Sequence, residues 1–158
     1  MRSLKFEKYL HKDLIWLNQN FKNWEELLTF CSEKLVDLKY VNNYFCETII
    51  EREKKYPTGL ELEGYSIGIP HCDPECVISP FVAVVTLENP ISIGKIEDSS
   101  STVDVKLFFM LCLNNSDAHF EVLKELTSLA QNKELIENIT EMTNHDNVIN
   151  SISLSLNS

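Results

Sequence analysis

Two nearly unbroken apolar runs restrict this chain more than anything else in it: Phe81–Leu87 (FVAVVTL) and the later part of Val103–Leu113 (VDVKLFFMLCL). A strand with one face in water alternates apolar and polar side chains, whereas a run apolar at every position needs cover on both faces. Helices supply such cover, and amphipathic stretches flank both runs. The expected architecture is therefore α/β, a three-layer α/β/α sandwich on a mixed β-sheet.

The helical stretches are read from their spacing. Trp24, Leu27, Leu28, Cys31, Leu35 and Leu38 form one apolar face after Asn23, which with Glu26 three residues on makes a variant capping box. A second helix is expected over 42–55, with Tyr44, Phe45, Thr48 and Ile49 as its apolar stripe and Arg52 continuing that face. Glu51, Glu53, Lys54 and Lys55 fall on positions expected to be solvated. A third helix follows the capping residues 114–117, with His119, Leu123, Leu126 and Ala130 on one face, and a shorter one spans about 134–142. Pro57 and Gly59 break the second helix. Tyr65, Ile67 and Ile69 alternate with smaller residues as a half-buried strand ending at Pro70. Residues 14–17 read as a short first strand, and Pro90 is expected to end the Phe81 strand. The Ser/Asn-rich tail from about residue 145 is expected to be weakly ordered or frayed.

Composition then limits function. At 158 residues the chain has the length of a single domain, 1–158, with enough bulk for its own core. No stretch approaches the roughly 18 consecutive apolar residues of a membrane span. Charges interrupt the N-terminal MRSLKFEKYLHKDLIWL, unlike a signal peptide, so the expected location is cytoplasmic. A net charge of −10 repels a phosphate backbone and argues against nucleic acid as a partner. The five cysteines suit a reducing compartment, with Cys31, Cys46 and Cys112 read as buried and inert.

His71 is the leading candidate for chemistry. It follows a strand directly, sits between Pro70 and Pro74, and lies in a loop of the kind where α/β proteins place their sites. Neutral imidazole offers a nitrogen lone pair near pH 7 and can act as a nucleophile. His119, opening a helix whose free N–H groups favour an anion, is the natural second member. Arg52, one of two arginines in the chain with Arg2, could neutralise phosphoryl charge. Spacing alone equally admits a structural histidine and an arginine with its head in water. A metal reading also stands, because His71, Cys72, Asp73 and Cys76 lie in one loop. It lacks a second Cys/His pair to complete a four-ligand site.

The segment YPTGLELEGYSIGIPHCDPECVISPFVAVVTLENPI, residues 56–91, resembles the active-site region of the fructose/mannitol/nitrogen-type enzyme IIA superfamily of the bacterial phosphotransferase system. The Pro70-His71 pair after an apolar strand carries the likeness. Tyr56–Leu60 and Asp73–Glu75 look most like the galactitol branch. The resemblance runs from the first helix to about residue 142. It implies His71 as the phosphorylated histidine, His119 as a second active-site histidine stabilising the phosphoryl group, and Arg52 as an arginine near the site. Cys72 stands where several relatives carry glycine, and Gly68 where many carry alanine.

The resemblance further implies a three-layer α/β/α fold and a phosphohistidine carrier needing no cofactor or metal. Such a carrier takes its phosphoryl group from the carrier protein HPr and passes it to a cysteine of a galactitol-type enzyme IIB. Its link to the membrane runs only through enzyme IIC. Two alternatives stay open at this point: a regulatory nitrogen-type enzyme IIA acting through partner binding, and a non-catalytic metal-binding or structural domain.

Overall fold

The computed structural model describes residues 6–157. Residues 1–5, with Arg2 and the start of the N-terminal stretch read as unlike a signal peptide, and Ser158 lie outside the described residues. In chain order the elements are β1 (Leu10–Gln19), α1 (Trp24–Asp37), α2 (Phe45–Lys55), β2 (Gly59–Leu62), β3 (Tyr65–Gly68), β4 (Phe81–Gly94), β5 (Thr102–Cys112), α3 (Ser116–Ala130), α4 (Lys133–Glu141) and α5 (His145–Asn157).

The strands form one five-stranded sheet in the order β1-β4-β5-β3-β2. β1 runs parallel to β4 and β3 parallel to β5, while β4–β5 and β2–β3 are antiparallel, so the sheet is mixed as expected. The two apolar runs are its middle. Alternate residues of β4 go to opposite sides: Phe81, Ala83 and Val85 join Leu27, Leu28, Cys31 and Leu35 of α1 and Phe45 and Ile49 of α2. Val82 and Val84 join Val122 and Leu126 of α3, Ile136 and Ile139 of α4, and Val148 and Ile152 of α5. Helices thus cover both faces, and this double cover explains why the central strands carry no polar alternation.

Local chemistry sets the helix starts. Asn23 accepts the Glu26 N–H at 2.9 Å, Asn115 the Ala118 N–H at 3.0 Å, and Asn132 the Leu135 N–H at 3.1 Å. Tyr44 lies before α2 and is exposed, so the buried stripe of that helix is Phe45 and Ile49. Leu38, placed on the α1 face by spacing, is likewise exposed just past the helix end. Cys46 is only half-buried.

Three further expectations are corrected. β4 does not stop at Pro90 but continues to Gly94, because the pairing with β5 is irregular between Thr86 and Ile91 and an exposed proline there deprives the ladder of no hydrogen bond. Glu53, read as solvated, is 3% exposed. The tail is a helix, α5, because Val148, Ile152 and Leu156 recur every fourth residue and are buried on the sheet. At the far end of the sheet, residues 95–101 turn between β4 and β5, with Asp98 accepting hydrogen bonds from Ser100 and Ser101.

Candidate active site

The C-terminal ends of β3 and β5, which run in parallel, lie side by side at one edge of the sandwich. After Gly68 the chain continues through Ile69 and Pro70 to His71, which still bridges to Leu111 of β5, and the Leu111 N–H donates to the Pro70 carbonyl at 3.0 Å. β5 ends at Cys112 and leads within a few residues into α3. Strand ends and a helix start therefore meet where His71 leaves the sheet, the position at which α/β sheets place ligands.

His71, His119 and Arg52, singled out separately along the sequence, line one small cleft of about 140 Å³. Cys72, Asp73, Pro74, Leu113 and Ser116 complete its wall. The rings of His71 and His119 lie 5.3 Å apart between centroids, tilted by 52°. His119 sits in the first turn of α3, where the early N–H groups have no partner within the helix. Arg52, in the last turn of α2, donates from one terminal nitrogen to Asp73 Oδ1 at 2.9 Å, and its guanidinium lies over the Tyr56 ring. Its Nε is buried and has no hydrogen-bond acceptor among the described residues. Asp73 as the partner of Arg52 was not read from the sequence, because residues 21 apart on a helix and a loop carry no common period.

One hydrogen bond determines the chemistry of His71. Its Nδ1 lies 3.0 Å from the Ile69 carbonyl oxygen. A carbonyl only accepts, so Nδ1 carries the proton and Nε2 keeps its lone pair. Burial first, and Arg52 to a lesser degree, hold the His71 pKa below the ordinary histidine value, against the upward pull of the Ile69 bond and of Asp73. His119 is lowered as well, by burial and then by the charges of His71 and Arg52. Two neutral imidazoles beside a guanidinium can attack or bind an anionic, electrophilic group.

The loop does not assemble the metal alternative. Cys72 and Cys76 are buried free thiols, and burial pushes Cys72 up to about 12. Among the described residues no three His, Cys, Asp or Glu side chains are placed to hold a metal ion. No helix among them is long and apolar enough to cross a membrane.

Comparison with known proteins agrees with this geometry. The family model for "Phosphoenolpyruvate-dependent sugar phosphotransferase system, EIIA 2" matches residues 8–154. The mannitol-specific EIICBA component of Vibrio cholerae is 30% identical over 149 residues, 92% of this chain and 22% of that protein. The chain thus spans about a fifth of that relative's length. The galactitol-specific EIIA component of Escherichia coli is 25% identical over 120 residues, 76% of this chain and 79% of that one. Among solved structures, a complex of enzyme IIAMTL and phosphorylated enzyme IIBMTL from Escherichia coli matches with a TM-score of 0.73 and 26% identity. It covers 91% of this chain and 96% of that one.

Proposed function

This chain belongs to the EIIA 2 family of the phosphoenolpyruvate-dependent sugar phosphotransferase system, and on that premise we propose that it is a phosphohistidine carrier with His71 as the phosphorylated residue. Nε2 of His71 attacks the phosphoryl group on a histidine of HPr; a new N–P bond forms as the donor's N–P bond breaks, and the donor nitrogen regains its electron pair. The phosphoryl group then leaves His71 for the thiolate of an enzyme IIB cysteine, forming an S–P bond. The observation that carries this reading is the Nδ1–H bond to Ile69, which leaves the Nε2 lone pair for attack. His119 and Arg52 act as stabilisers of phosphoryl oxygens, since such transfer depends on alignment and on neutralising spread charge.

We assign the phosphoryl acceptor to the galactitol type on the Tyr56–Leu60 and Asp73–Glu75 segments and on the likeness to the galactitol-specific relative. The work is placed in the cytoplasm, with contact to the membrane only through an enzyme IIC partner. The test is incubation with phosphoenolpyruvate, enzyme I and HPr, followed by assay for acid-labile, base-stable label. His71→Ala takes none, and His119→Ala takes it roughly 10²-fold more slowly, the usual cost of one lost oxyanion donor. Undiminished labelling of His71→Ala overturns the assignment. Offering the labelled protein to galactitol-, mannitol- and fructose-type IIB domains tests the subfamily. Fast transfer to the other types with none to the galactitol type overturns that part alone.

A further inference from the structure

Glu53 carries a carboxyl group into the interior at a place where nothing in the proposed chemistry touches it. It is 3% exposed, and its two oxygens hold one residue: Oε2 accepts the Thr58 N–H and Oε1 accepts the Thr58 hydroxyl, both at 2.8 Å. Thr58, itself 3% exposed, lies between the end of α2 and the start of β2. Its next neighbour, Gly59, is packed so closely that a Cβ there would lie 2.6 Å from the Gly94 carbonyl oxygen. The carboxylate therefore fixes a segment already wedged against the sheet.

From Thr58 the hydrogen bonds lead to the nucleophile. The Thr58 carbonyl accepts the Ile69 N–H at 3.1 Å, and the carbonyl of Ile69 accepts Nδ1–H of His71 at 3.0 Å. The peptide whose oxygen selects the His71 tautomer thus belongs to a residue whose N–H is held by Thr58. Thr58 in turn is held at both donors by Glu53. Arg52 is the residue before Glu53, so the same clamp ties the last turn of α2, and with it the guanidinium, to the histidine loop.

We propose that Glu53 is a positioning residue for phosphoryl transfer: by clamping Thr58 it holds the Ile69 carbonyl in place, so that the His71 ring keeps Nδ1 protonated and presents Nε2. The role rests on the phosphocarrier reading for its consequence, but not for its geometry. A buried carboxylate with both oxygens engaged is a rigid acceptor, whereas a replacement without oxygens leaves two buried donors of Thr58 unpaired. A loosened loop misplaces the nucleophile, and displacement by about 1 Å can cost on the order of 10²-fold in rate.

The experiment has two readouts on one set of variants: Glu53→Ala, Glu53→Gln, Thr58→Val and Thr58→Ser. Ring ¹⁵N shifts of His71 report its tautomer, and labelling by phospho-HPr reports transfer. Glu53→Ala and Thr58→Val are expected to move the shifts from a protonated Nδ1 toward a tautomer mixture and to slow labelling by roughly 10- to 100-fold. Glu53→Gln, which can accept one bond and donate the other to the hydroxyl, and Thr58→Ser, which keeps both donors, stay near wild type. If Glu53→Ala does not fold, the two Thr58 variants carry the comparison. Unchanged tautomer shifts in folded Glu53→Ala or Thr58→Val overturn the proposal. If the wild-type protein takes no label, the phosphocarrier reading falls, while the ¹⁵N measurement, needing no phosphoryl donor, still decides the clamp.

Discussion

Arg52 and Asp73 form an ion pair of 2.9 Å beside His71, and the two charges pull the imidazole in opposite directions: the guanidinium lowers its pKa and the carboxylate raises it. Asp73→Asn is therefore expected to lower the His71 pKa further, and Arg52→Gln to raise it, each read by NMR titration of the ring. The stability sign follows. The folded-state pKa lies below the ordinary 6.5, so between the two values the unfolded chain binds more protons than the folded one. This contribution is fully present above 6.5 and is lost as pH falls through the folded value. Asp73→Asn widens that window downward, and Arg52→Gln narrows it. Opposite movements in the titration would show that the pair does not face the ring.

The same pair separates two neighbouring cations. Arg52→Ala removes the guanidinium from the cleft and is expected to slow phosphoryl exchange by on the order of 10²-fold, as loss of a charge-stabilising donor does. Lys54 is exposed, 3.6 Å from Glu51 on the outer side of α2. Its removal is expected to change exchange by no more than about twofold, the scale of ordinary surface substitutions. Stopped-flow or quenched labelling of both variants decides, and equal effects would mean that position on the helix does not matter.

Gly68→Ala is expected to destabilise the fold by about 1–3 kcal/mol, the cost of overpacking a filled core. A Cβ at Gly68 would collide with the Phe108 ring, and Phe108 is itself buried. An alanine at this position needs a smaller neighbour, so Phe108→Leu is expected to relieve part of the loss. Denaturant unfolding of the single and double variants measures the coupling, and additive effects would place the collision elsewhere.

Ile152→Ala tests whether the last helix belongs to the core. Ile152 is fully buried among residues of β1, α3 and α4, so its truncation is expected to cost roughly 2–5 kcal/mol. Leu154, exposed on the other side of α5, is expected to tolerate the same change within about 0.5 kcal/mol. Equal, small effects in thermal unfolding would make α5 a loose appendage.

The middle of the fold was legible because its signal is one of accumulation: seven positions of Phe81–Leu87 are all buried, and no surface strand tolerates that. α5 was not legible because its three anchors are diluted by serines and asparagines, and only the sheet beneath shows that Val148, Ile152 and Leu156 share a side. β2 is four residues long with one buried position, too short for a period to declare itself. Within the site, His71 and His119 stood out because each follows a local marker, a strand end and a helix cap. Glu53 did not, since its neighbours Glu51, Lys54 and Lys55 are exposed and it looks like one more charge among them. What distinguishes it is a hydrogen-bonding partner five residues on, beyond a proline that redirects the chain.

The turn over residues 95–101 joins β4 to β5 at the opposite end of the sheet from the histidine loop. Its residues 96–100 are exposed, and it is held by its own Asp98 bonds and the Lys95–Glu61 pair. That separation makes it a handle. A fluorophore, affinity peptide or small domain carried there sits a strand's length from His71, so it leaves the cleft between the two histidines open.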